Sequence, residues 1–145
     1  MSADFAIAVD ISAPPDRVWA IMSDIARWPE WTPTVTRVEL LDPGPPAVGN
    51  RARIRQPRLP QAIWRITAID PGRSFTWVTR SPGVEVTARH SVEPSGTGSR
   101  AHLALHFGGL LGPLVARITR GLNLRYLGLE AEGLRARSEA PGGGG

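Results

Sequence analysis

The chain has 145 residues, 41% of them hydrophobic and 21% charged, with a formal net charge of +4. That length suits one domain with a core of its own, and the balance excludes a disordered polymer. There is no cysteine, so disulfides, thiolate nucleophiles and cysteine-based metal sites are ruled out.

All 17 basic side chains are arginine. This accounts for an isoelectric point near 11.1, because guanidinium does not titrate below about pH 12. The arginines run from Arg17 to Arg137 with one cluster, Arg51, Arg53, Arg55 and Arg58. The first three alternate with Ala52 and Ile54 and fall on one strand face, the solvated outer one. Aromatic platforms and a reading helix are missing there, so no nucleic-acid partner is expected. No apolar run reaches the roughly 18 residues of a membrane span. Met1-Ser2-Ala3-Asp4 lacks the charge and apolar stretch of a signal peptide. The expectation is a cytoplasmic protein, monomer or homodimer, with one domain over residues 3–138 and a flexible glycine-rich tail over 139–145.

In chain order, residues 4–11 put Phe5, Ile7, Val9 and Ile11 on one face, the period of a half-buried strand. Ser12 is the N-cap candidate for a helix with prolines in its first turn and with Val18, Trp19, Met22 and Ile25 at helical spacing. Trp28-Pro29-Glu30-Trp31-Thr32-Pro33 ends that stretch, since each proline disfavours helix at the residue before it. Six alternating segments follow, near 36–40, 50–56, 62–69, 74–80, 84–93 and 99–107, separated by Pro/Gly turns. They predict an antiparallel meander. In the third, Trp64, Ile66 and Ala68 are expected on one side. From Pro113 to Arg137 the period changes, and Leu114, Val115, Ile118, Leu122, Tyr126 and Leu129 predict the apolar stripe of one long helix. Gly121, Gly128 and Gly133 inside it imply close approach to the sheet or room for a ligand, since each costs up to about 1 kcal/mol relative to alanine.

Several local signatures stand in this order: Ala13-Pro14-Pro15-Asp16-Arg17-Val18-Trp19, then Asp24 with Trp28-Pro29-Glu30-Trp31, then Val48-Gly49. Ile69-Asp70-Pro71-Gly72-Arg73-Ser74-Phe75-Thr76-Trp77 and Glu93-Pro94 with Gly96-Thr97 complete them. Together they resemble the START-like helix-grip (SRPBCC) superfamily, in its polyketide cyclase/dehydrase-like branch, over roughly residues 3–138. The resemblance implies an α+β fold in which a seven-stranded antiparallel sheet wraps around a long C-terminal helix, with two short helices after the first strand. It also implies a cavity for an apolar molecule between sheet and helix. It does not imply a reaction, because such folds serve cyclases, carriers and sensors alike.

Strand parity then names the interior: Phe5, Ile7, Val9, Val38, Leu40, Ala52, Ile54, Trp64, Ile66, Phe75, Trp77, Val86, Ala88, Leu103, Leu105 and Phe107, with Gln56, Thr79 and His90 as polar exceptions. Tyr126 joins them from the helix. A few polar groups in an apolar wall are how ligand pockets fix orientation. The candidate ligand-binding residues are therefore Gln56, Trp64, Trp77, Thr79, His90, Phe107, Tyr126 and, at the cavity mouth, Trp31. His90 is the one candidate catalytic group, as a general base, against a core histidine satisfied by Tyr126 or Gln56. His102 and His106 share parity with Arg100 on the outer face and do not form a metal site; no metal and no cofactor is expected. Three functions remain: binding of a hydrophobic polyketide, lipid or isoprenoid; a cyclase or dehydratase using His90; or a module touching a partner or membrane surface through Leu110–Leu124.

Overall fold

Alternation of large and small side chains sets the first strand, β1 (Phe5–Ile11), whose Phe5 and Ile11 are buried. The computed structural model describes residues 3–141; the start of the chain and residues 142–145 of the expected tail lie outside them. Helix α1 (Pro15–Ser23) follows, then a 3-10 turn over Ile25–Glu30. Pro14, not Ser12, occupies the N-cap position of α1. The Ser12 N–H instead donates to Glu139 at the far end of the chain, so Glu139 is structured and not part of a tail.

The meander then runs β2 (Arg37–Leu40), β3 (Arg51–Arg55), β4 (Ala62–Asp70), β5 (Ser74–Ser81), β6 (Val84–Ser95) and β7 (Gly98–Gly108). All seven strands form one sheet in the order β1-β7-β6-β5-β4-β3-β2, every pair antiparallel. Two parity expectations fail for local reasons. A bulge between Ile66 and Ala68 shifts the register, so Ala68 is exposed and Ile69 packs against the core instead. Leu40 closes a four-residue edge strand and stays 42% exposed.

The C-terminal segment is two helices, α2 (Gly112–Ile118) and α3 (Arg120–Glu139), where one was expected. The break falls at Thr119, whose hydroxyl turns back to the Val115 carbonyl at 2.6 Å and accepts from the Asn123 side chain at 2.9 Å. Such side-chain bonds compete with the helical ladder. The buried stripe also differs from the expected one. It runs through Ala116, Asn123, Leu127, Ala131, Leu134 and Ser138, while Leu114 and Ile118 face outward. Large rings from the sheet already fill the concave side, so the helices approach it with their small residues.

The far end of α3 is tied to the 3-10 turn by Arg137, which donates to Glu30 at 2.7 Å, beside Arg27 at 3.0 Å. Hydrogen bonds from Arg137 and Arg27 hold the Glu30 carboxyl below its ordinary 4.5. A lowered carboxylate contributes stability above its unfolded value and loses it as pH falls through the folded value. Glu30→Gln should therefore lower Tm slightly at neutral pH, and the gap to the parent should close on the acid side of 4.5, as followed by thermal melts across pH.

Candidate functional site

The inner face of the sheet carries a continuous set of rings. Phe75 and Trp77 on β5, Trp64 on β4 and His90 on β6 all point inward because their parity matches that of Ile66 and Ala88. The Phe75 and His90 rings stack, with centroids 4.6 Å apart and planes 7° from parallel. Trp77 meets His90 edge-on at 6.1 Å, and Trp64 lies 5.3 Å from Trp77. The fourth wall comes from outside the sheet. Trp28, on the 3-10 turn, lies 5.2 Å from His90, 5.3 Å from Trp77 and 5.8 Å from Trp31. Its indole N–H donates to the Met22 carbonyl at 3.1 Å, which fixes the ring in place.

His90 is not satisfied by Tyr126 or Gln56. Its Nε2 meets Glu130 Oε1 at 2.9 Å, with the two side chains only 7% and 12% exposed. With the carboxylate accepting at Nε2, the neutral ring carries its proton there and leaves a lone pair on Nδ1. That Nδ1 is buried without a hydrogen-bond partner, and so is the indole nitrogen of Trp31. An unpaired buried polar atom costs about 1–3 kcal/mol, so both atoms need an explanation that packing alone does not give.

Glu130 reaches His90 because α3 can descend onto the loop that follows the 3-10 turn. A Cβ added at Gly133, one turn beyond Glu130, would overlap the Trp31 carbonyl oxygen. Gly133→Ala should therefore destabilise the fold by roughly 1–3 kcal/mol, although alanine is the better helix former. Gly121→Ala and Gly128→Ala, where nothing lies within 4 Å of an added Cβ, should be neutral or stabilising by up to about 1 kcal/mol. Urea unfolding of the three variants separates the two classes.

The other expected residues are dispersed around this centre. Tyr126 donates its hydroxyl to the Pro57 carbonyl and ties α3 to the loop after β3. Gln56 is half-buried at the start of that loop. Thr79 pairs with Val86, and Phe107 pairs with the same Val86, four residues along β6 from His90. Phe107 also sits edge-on to Phe5 at 6.0 Å. Thr79, Val86 and Leu105 are half-buried. Two components were missed from sequence. Glu130 would have come into view had the helix face been drawn through its small residues, Ala116, Asn123, Ala131 and Ser138. From the sequence Trp28 only opens the proline-bounded stretch that ends the helix, yet its ring touches four others of the cluster.

A cavity of about 230 Å³ adjoins this cluster. Its floor is Ala52, Ile66 and Trp77 of the inner sheet face, its far side is Ser23–Ala26 and Leu40, and its rim carries Asp42, Asn50 and Arg51. It therefore lies between the sheet and the α1 end, not against α3, and of the expected ligand residues only Trp77 lines it. At the rim, the Arg51 side chain and its backbone N–H hold the Asp42 carboxyl below its usual range.

The sequence matches the family described as polyketide cyclase / dehydrase and lipid transport over residues 2–139. The chain belongs to that family. Among solved structures it is similar to the Zhui aromatase/cyclase from Streptomyces sp. R1128, with a TM-score of 0.73 and 16% identity over 97% of this chain and 98% of the other. Ginseng major latex-like protein 151 from Panax ginseng gives a TM-score of 0.75 and 16% identity over 94% and 97%. A protein from Thermus thermophilus gives 0.74 and 17% over 92% and 94%. At these identities the likeness shows the helix-grip fold. No curated protein matches the sequence. For this polyketide cyclase-like chain, function therefore has to come from its own residues. Among the described residues no helix is long and apolar enough to cross a membrane.

Proposed function

We propose that this protein binds a flat, hydrophobic small molecule of polyketide, lipid or isoprenoid type, bearing a hydroxyl group, on the ring-lined inner face of its sheet. The observation that carries this is His90 Nδ1, a polar atom buried among Phe75, Trp28 and Trp77 with no partner. A ligand hydroxyl donates the missing bond to the Nδ1 lone pair, and Trp64, Trp77 and Trp31 supply stacking area. The 230 Å³ cavity beside Trp77 is smaller than the roughly 300–1,000 Å³ usual for such sites. Binding therefore involves displacement of Trp28, whose 3-10 turn forms one side of that cavity. Gln56, Thr79, Phe107 and Tyr126 lie further along the inner surface and bear on a long ligand only.

The test is titration with a hydroxylated anthraquinone, followed by native mass spectrometry and by tryptophan fluorescence. A one-to-one adduct with quenching is expected. His90→Phe, which keeps the stack on Phe75 and removes the nitrogen, should weaken it by about tenfold. Absence of any adduct at saturating probe would remove the reading.

A second reading, turnover by a cyclase or dehydratase, is favoured by one observation: Glu130 stands behind His90 as an orienting carboxylate stands behind a general base. In that case Nδ1 takes a proton from an acidic carbon of a poly-β-ketone. Glu130→Gln would then lower the rate far more than it lowers affinity for the anthraquinone.

A further inference from the structure

Three large apolar side chains near the start of the C-terminal helices have no cover. Leu110 is 92% exposed, Ile118 72% and Leu114 55%. On α2, Leu114 and Ile118 are four residues apart and share a face, opposite the buried Gly112 and Ala116. The exposure is built in and is not the looseness of a turn. The Leu111 N–H donates to the Gly83 carbonyl at 2.8 Å. Glycine at 109 and 112 lets the chain press against the Gly83 and Phe107 carbonyls, where a Cβ would clash. The short helix is thus clamped onto the β5–β6 turn and the end of β7 with Leu114 and Ile118 turned outward.

The charges on this segment itself all have one sign, and the carboxylates at its base are already engaged, Glu85 with Arg80 and Asp4 with His106. Arg117, Arg120 and Arg125 are exposed and form no ion pair among the described residues. No carboxylate side chain occurs anywhere between Glu93 and Glu130. We infer that this tip docks onto an anionic lipid bilayer, with Leu110, Leu114 and Ile118 entering the acyl boundary and the three arginines at headgroup level. Arginine suits that position, since its stem lies along apolar surface while the guanidinium meets phosphate. A second copy of the chain fits poorly, because pairing the tips would bring arginines together with no carboxylate in the segment to neutralise them. The inference is independent of small-molecule binding.

Flotation with vesicles of phosphatidylglycerol and phosphatidylcholine tests it, using the full chain. The protein should float with the mixed vesicles and lose most of that association at high salt or with pure phosphatidylcholine. Each of Arg117→Gln and Arg120→Gln should weaken it about fivefold. Leu110→Glu with Ile118→Glu should abolish it while the melting temperature and anthraquinone binding stay at parent values, since both side chains face solvent. No flotation with the mixed vesicles, or equal flotation of the double glutamate variant, would overturn the inference. So would a size-exclusion dimer that this variant dissociates in the absence of lipid binding.

Discussion

Trp28→Ala is expected to destabilise the protein by about 3–5 kcal/mol and, at the same time, to tighten binding of the anthraquinone. The loss follows from the ring's position, buried at the centre of contacts with Trp31, Phe75, Trp77 and His90 and anchored through the Met22 carbonyl. The gain follows from where the vacated space would lie, against His90 and next to the 230 Å³ cavity. A dry apolar cavity of this kind takes up a flat apolar molecule. Two effects of opposite sign distinguish a plug from an ordinary core residue, for which stability and binding would fall together. Denaturant unfolding and a fluorescence titration on the same sample provide both readings.

The second large effect concerns the buried pair. Glu130→Leu should cost about 2–3 kcal/mol, because it strands the Nε2 donor of His90 as well as removing a bond to a charged group. His90→Phe alone should cost a similar amount by leaving the Glu130 carboxylate with no donor. The double variant Glu130→Leu/His90→Phe should return to within about 1 kcal/mol of the parent, since replacing both members of a buried polar pair by apolar groups of like shape is often neutral or better. Its anthraquinone affinity should stay as weak as that of His90→Phe. Stability restored without binding would show that the pair is maintained for the ligand and not for the fold. A double variant destabilised by the sum of the singles would contradict this.

The strands were legible because an inward-facing set such as Ala52 and Ile54 alternates with outward arginines at period two, and that period belongs to the backbone itself. The same rule placed His90 inside. It failed at Ala68, where a bulge adds a residue to one strand and the alternation carries no mark of it. It could not name Glu130, because that contact joins residues 40 apart on different elements and depends on how closely α3 descends at Gly133. The helix face was misread for a related reason. Hydrophobic period alone favours Leu114, Ile118 and Leu122, but a concave sheet already filled by tryptophan and phenylalanine admits Ala116, Ala131 and Ser138 instead. Trp28 was hidden by its setting, since a tryptophan between helix end and proline reads as a loop anchor until the ring's direction is known. Leu114 and Ile118, left outside by that rotation, join Leu110 in the tip inferred to face lipid.

The most direct measurement is the nitrogen spectrum of the imidazoles in protein labelled at His90, His102 and His106, recorded with and without saturating hydroxylated anthraquinone. The Nδ1 resonance of His90 is expected to move while its Nε2, held by Glu130, and both nitrogens of the two outer histidines stay in place. A saturated complex in which His90 Nδ1 does not move would contradict that expectation.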